Sequence, residues 1–169
     1  MAPDPTATSR PERALRIRPA TSADADFIRA LGPRFARASS LPWRDPVQIA
    51  DFVNGSADYA VTQTQQPELG HRVLIATAGD GQSLGFIHLY NEYSRLTNEA
   101  QGYVAMVAVT EAAEGRGVGR ALLAAGEAWA REQGFRHLAL DTFGDNAHAR
   151  AVYAHLGFAE ESVKLVKAL

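Results

Sequence analysis

Glu114-Gly-Arg-Gly-Val-Gly-Arg120 decides the fold, because it joins a strand to a helix. Upstream, residues 103–109 read as a strand. Downstream, Val118, Leu122, Ala125 and Trp129 recur at helical spacing on one face, Arg120, Glu127 and Arg131 fall on another, and Gly134 supplies a stop. This is the pattern of an amphipathic helix laid on a sheet. Gly115, Gly117 and Gly119 alternate within the turn. Glycine admits positive φ and close backbone approach, so successive N–H groups can converge on an anion at the positive end of the helix dipole. Arg116 and Arg120 can add charge-assisted bonds to the same oxygens. The turn suits a diphosphate; taken alone, it also fits a flexible connection with solvated arginines. A P-loop would end in Gly-Lys-Ser/Thr, and a dinucleotide fingerprint would have a third glycine where Arg120 stands and would follow a first strand, so both templates fit poorly.

Working outward, Leu15-Arg-Ile-Arg-Pro19 alternates apolar with basic and reads as a half-exposed first strand, after which Thr21 or Ser22 caps a helix. Helical spacing covers residues 23–37, with a kink expected at Pro33, and residues 46–53, separated by a turn around Pro42. The β-rich segments 71–77 and 84–90 flank Gly79-Asp-Gly-Gln82, a strong hairpin signal. After the glycine turn and its helix, residues 137–142 read as a buried strand and 146–156 as a helix with Ala149, Val152, Tyr153 and Leu156 facing inward, ended by Gly157. Residues 163–169 read as a last strand. The expected order is β-α-α-β-β-β-α-β-α-β: an α/β fold, α+β-like in its first half, around a mixed central sheet.

The chain has 169 residues, 46% hydrophobic and 21% charged, enough for one compact domain over residues 14–169. Residues 1–13 are rich in Pro, Thr and Ser, lack an apolar core and read as a disordered tail rather than a secretory signal. A net charge of -2 disfavours a nucleic-acid partner. With no cysteine there is no disulfide, thiolate metal site or cysteine nucleophile. No apolar run approaches the length of a membrane span, so a cytoplasmic protein is expected. His137, His148 and His155 show no metal-ligand spacing with carboxylates, and no metal is assigned.

The turn has a companion about thirty residues on, Asn146-x-x-Ala149-x-x-x-Tyr153-x-x-x-Gly157-Phe158. Together the two resemble the GNAT superfamily of N-acetyltransferases, whose coenzyme-A turn is Arg/Gln-x-x-Gly-x-Gly/Ala and whose following motif is Asn-x-x-Ala-x-x-x-Tyr-x-x-x-Gly-Phe. Glu114 departs from the usual Arg/Gln, at a position where the implied contact is mainly from the backbone. The resemblance is specific over residues 107–158 and implies a GNAT fold with acetyl-CoA as cosubstrate.

It further implies that the backbone of Val107 and Val109, on a splayed strand, bonds the pantetheine arm, and that Glu114, Gly115, Arg116, Gly117, Val118, Gly119 and Arg120 cradle the pyrophosphate. Asn146 contacts the coenzyme arm on this reading, and Tyr153 sits near the thioester sulfur as general acid or thiolate stabiliser. As plain structure, Asn146 is also a good helix N-cap and Tyr153 a residue on an apolar helix face. The implied reaction carries the acetyl group to a primary amine of a small molecule or peptide through a tetrahedral intermediate, with a backbone N–H at Val107 as oxyanion donor. A tyrosine near pKa 10 is a weaker acid than a thiol near 8.5, and a lysine-like acceptor must lose a proton before attacking. Tyr103 stands where some family members carry a catalytic glutamate, leaving Glu99, with Glu92 and His88, as candidate bases. Trp43, Arg44 and Tyr59 are expected on the acceptor side. The alternative is a non-catalytic acyl-CoA sensor or interaction module on the same fold. The eleven residues after Phe158 leave the last strand either to pair across a homodimer boundary or to stand alone at an edge.

Overall fold

A computed structural model describes residues 15–36, 41–65 and 68–168; the expected N-terminal tail, the end of the first helix at Arg37, and Leu169 lie outside them. The elements are β1 (Arg16–Pro19), α1 (Ala25–Ala36), α2 (Pro46–Gln65), β2 (Arg72–Thr77), β3 (Ser83–Tyr93), β4 (Ala100–Val109), α3 (Val118–Glu132), β5 (Leu138–Leu140) and α4 (Ala147–His155). Short 3-10 turns at Ser22–Asp24 and Glu111–Ala113 precede α1 and the glycine turn. The five strands lie in sequence order, antiparallel from β1 to β4 and parallel between β4 and β5, as the hairpins and the α3 crossover require. No helix among the described residues is long and apolar enough to cross a membrane.

The sheet is covered on both faces, and the two-residue period of β3 sets which side chain goes where. Phe86 points to a core with Ile28 and Leu31 of α1, Val53, Ala57, Ala60 and Val61 of α2, and Ile75 and Met106 of the sheet. Ile87 and Leu89 point to the other core, against Leu122, Leu123 and Trp129 of α3. Pro33 lies inside α1 near its end, as the sequence leads one to expect.

Several elements differ from expectation: β3 and β4 are longer than 84–90 and 103–109, and the buried strand expected over 137–142 is only Leu138–Leu140 and half-buried, being an edge of the sheet. α2 runs to Gln65 instead of stopping at Val53, because Val53, Ala57, Ala60 and Val61 continue the spacing i, i+4, i+7, i+8 and their burial carries the helix past Gly55 and Ser56. α4 turns Val152 outward, 40% exposed, so its inward row is Ala149, Tyr153 and Leu156, all half-buried. The strand expected over 163–169 does not form among the described residues; Val163, Leu165 and Val166 are exposed. A strand needs a partner, and residues 163–168 pair with no strand of the sheet, whose order ends at the three-residue β5.

Candidate active site

The site is built on a fork in the sheet. β4 pairs with β5 from Gly102↔Leu138 to Val104↔Leu140 and no further. At that level β4 carries a bulge: His88 faces Met106 and Leu89 faces Val104, leaving Ala105 as the extra residue. A bulge bends its strand, and beyond it β4 stays paired with β3 but has no β5 partner, since β5 ends at Leu140. Val107 and Val109 lie on this stretch, half-buried and with no β5 partner.

The strand leads into the glycine turn. Gly115 and Gly117 have φ of +69° and +77°, a region that favours glycine, and a Cβ on either would point into open space. Gly119 has an ordinary backbone. Gly117 is the N-cap of α3, and its carbonyl receives the Ala121 N–H at 3.0 Å. The N–H groups of Val118, Gly119 and Arg120 therefore have no backbone acceptor among the described residues. The exposed guanidiniums of Arg116 and Arg120 flank them; neither has an ion pair among the described residues, although Arg116 donates to the Ala112 carbonyl at 3.4 Å. Donors and positive charge converge on this turn, an arrangement whose chemistry suits an anion. Glu114, the departure from the family pattern, turns its carboxylate away to Arg34 of α1, which also reaches Glu111 at 3.7 Å.

On the α3 side, Asn146 caps α4 by accepting the Ala149 N–H at 3.1 Å. Tyr153, about two helical turns further on, packs edge-to-face on Phe158 with ring centroids 5.9 Å apart, and its hydroxyl has no partner among the described residues. Burial pushes its phenol above the usual value.

On the α2 side, the Tyr103 hydroxyl donates to Asp141 Oδ2 at 2.9 Å, spanning β4 and the residue after β5 at the point where the strands part. Burial, the bond to Asp141 and the charge of that carboxylate raise the Tyr103 phenol far above its ordinary value, so it stays a donor. Sequence reasoning did not mark Asp141; its pairing with a residue 38 positions away leaves no local signal. Next to Tyr103 lies a cluster of rings. Tyr90 is 5.1 Å from Tyr103, His71 is 5.3 Å from Tyr90, and His71 Nδ1 and His88 Nε2 share a hydrogen bond of 3.1 Å. Tyr59 of α2 reaches His71 Nε2 and Glu68, each at 3.5 Å. His88 is 1% exposed, and burial, then the charge of His71, lowers it to about 4, so it is neutral at ordinary pH. Glu92 accepts from Gln101 at 2.8 Å. Glu99 is not at the fork: it precedes β4, faces Arg136 at 3.6 Å and His137 at 3.9 Å, and lies eight residues from Val107, about 25 Å at strand rise. Trp43 and Tyr59 are exposed, and Arg44 lines a cavity beside α2.

Comparison with known proteins bears on this geometry. Residues 36–158 match the family model for the acetyltransferase (GNAT) family. An aminoglycoside N(6')-acetyltransferase type 1 of Stenotrophomonas maltophilia is 38% identical over 97 residues, 56% of this chain and 63% of that enzyme. A mycothiol acetyltransferase of Amycolatopsis mediterranei is 47% identical over 64 residues, covering 38% of this chain and 21% of its own length. The match thus spans under two thirds of either relative. Among solved structures, a GCN5-related N-acetyltransferase from Ralstonia eutropha JMP134 superposes with a TM-score of 0.70 at 19% identity, covering 92% of this chain and 99% of that one. The aminoglycoside acetyltransferase AAC(6')-Iy, in complex with a CoA bisubstrate analogue, superposes with a TM-score of 0.67 at 20% identity, covering 92% of this chain and 98% of that one. The forked sheet and the free helix terminus are thus the frame of a known fold, and the chain belongs to the GNAT acetyltransferase family.

Proposed function

We propose that the protein transfers the acetyl group of acetyl-CoA to a primary amine of a small molecule or peptide. The observation that carries this reading is the fork between β4 and β5, which opens beside the unpaired N–H groups of α3 and bears the Tyr103–Asp141 pair on its other face. The coenzyme supplies a thioester carbonyl open to attack by an uncharged amine through a tetrahedral intermediate.

The chain's own groups have distinct tasks. The N–H groups of Val118, Gly119 and Arg120, with the two guanidiniums of the turn, bind the pyrophosphate. Glu114 contributes backbone alone, since its carboxylate is held by Arg34. The unpaired edge of Val107 and Val109 orients the pantetheine arm, and an N–H at Val107 receives the developing oxyanion. Asn146 uses its carbonyl oxygen as a cap, which leaves its amide N–H groups for the coenzyme arm. Tyr153 has an unengaged hydroxyl and a raised pKa, so it steadies the departing sulfur by hydrogen bonding rather than by giving up its proton. Asp141, held by Tyr103 through one oxygen, anchors the acceptor ammonium and takes one proton from it before the nitrogen attacks; the second proton, shed by nitrogen as the tetrahedral intermediate collapses, passes to the departing thiolate.

Thiol release from acetyl-CoA with a panel of primary amines tests the proposal. Asp141→Asn is expected to lower kcat/KM about a hundredfold. Tyr153→Phe is expected to slow kcat about tenfold with little change in coenzyme affinity. Coenzyme binding without thiol release from any amine would instead make the protein an acyl-CoA sensor.

A further inference from the structure

A cavity of about 340 Å³ lies between the first turns of α2 and the loop after β5. Leu41, Ile49, Phe52 and Phe143 give it apolar walls, and Arg44 and Asp45 also line it. Phe143 follows Asp141 by two residues, at most about 7 Å of chain, so this cavity adjoins the ammonium anchor assigned above. Phe52 is 70% exposed: folding leaves it uncovered, with its ring available to a ligand.

The two charges in the wall are not equivalent. Asp45 is engaged by the fold, its Oδ1 accepting the Val47 N–H at 2.9 Å and capping α2 ahead of Pro46. The Arg44 guanidinium has no ion pair or hydrogen bond among the described residues. The cavity therefore offers an incoming molecule apolar surface, the Gln48 amide, a guanidinium with no partner among the described residues, and a carboxylate already accepting one backbone N–H. An acceptor bearing several ammonium groups would bring cations against apolar walls and the like charge of Arg44, with only the partly engaged Asp45 to offset the lost hydration.

We propose, resting on the acetyltransferase reading above, that the acceptor is an amphipathic primary amine: its ammonium at Asp141, an apolar body against Ile49, Phe52 and Phe143, and a carboxylate at Arg44. This class differs from the aminoglycosides named for one group of relatives.

The experiment measures kcat/KM for thiol release with leucine, phenylalanine and 6-aminohexanoate, each beside its carboxamide, and with spermidine and kanamycin as polycations. Each carboxylate is expected to exceed its amide about fivefold, the range of a solvent-accessible ion pair, and Arg44→Gln is expected to bring that ratio to about one. A higher kcat/KM for spermidine or kanamycin than for every carboxylate overturns the proposal, as does a ratio that survives in Arg44→Gln, while the acetyltransferase reading stands. Thiol release with no amine at all, acetyl-CoA still binding, removes that reading and this one with it.

Discussion

His88 sits mid-strand in β3 with 1% of its surface exposed, among His71, Tyr59 and Tyr90. Its protonation is held down to about 4, against an ordinary value near 6.5. As pH falls below about 6.5 the unfolded chain takes up a proton that the fold refuses, so stability is full above that pH and is lost progressively down to about 4. His71, also lowered by burial, acts in the same direction. Between pH 7.5 and 4.5 the native protein is expected to lose on the order of 2 kcal/mol more than His88→Leu, read from urea midpoints at the two pH values. Equal losses would mean that His88 titrates normally in the fold. Neither this pair nor Asp141 was legible as such: each depends on contacts across the sheet, whereas the roles given to Tyr153 and Asn146 came from the family motif they resemble, and spacing within their helix gave only an N-cap and an inward face.

Among the elements that form, the strand-to-helix turn was the most legible and α2 the least. The turn is written in seven consecutive residues whose conformational demands are local. The length of α2 is set by the core beneath it, and its Gly55-Ser56 pair misleads a local reading. The turn's glycines are also separable by experiment. Gly117 has φ +77°, where alanine costs about 1 kcal/mol, so Gly117→Ala is expected to lower the melting temperature by a few degrees, about 2–4 °C per kcal/mol. Gly119 lies in the first turn of α3 with an ordinary backbone, and a Cβ there meets Val109 Cγ1 at 3.9 Å, so Gly119→Ala is expected to raise it slightly. Thermal melts that moved the same way for both variants would contradict this account of the turn.

At the scale of the molecule, the order of strands and the mixed sheet followed from the alternation of periods, but the last strand did not form, because pairing is decided by a neighbour and not by the segment itself. If acetyl-CoA binds the folded chain alone, a hundredfold excess over its dissociation constant is expected to stabilise it by about 2.7 kcal/mol, or about 5–10 °C in melting temperature. No shift with millimolar coenzyme would reduce the glycine turn to a connector. The bridge from Arg34 to Glu114 and Glu111 has a further consequence. Arg34 belongs to α1, whose Ile28 and Leu31 pack in the same core as α2, while Glu114 opens the glycine turn, so on the proposed function one side chain is a shared strut between the acceptor layer and the coenzyme turn. Whatever preference it gives the second ligand once the first is bound is returned in equal measure in the opposite order of addition. For a half-exposed pair of this kind, that cooperativity has a ceiling of about fivefold.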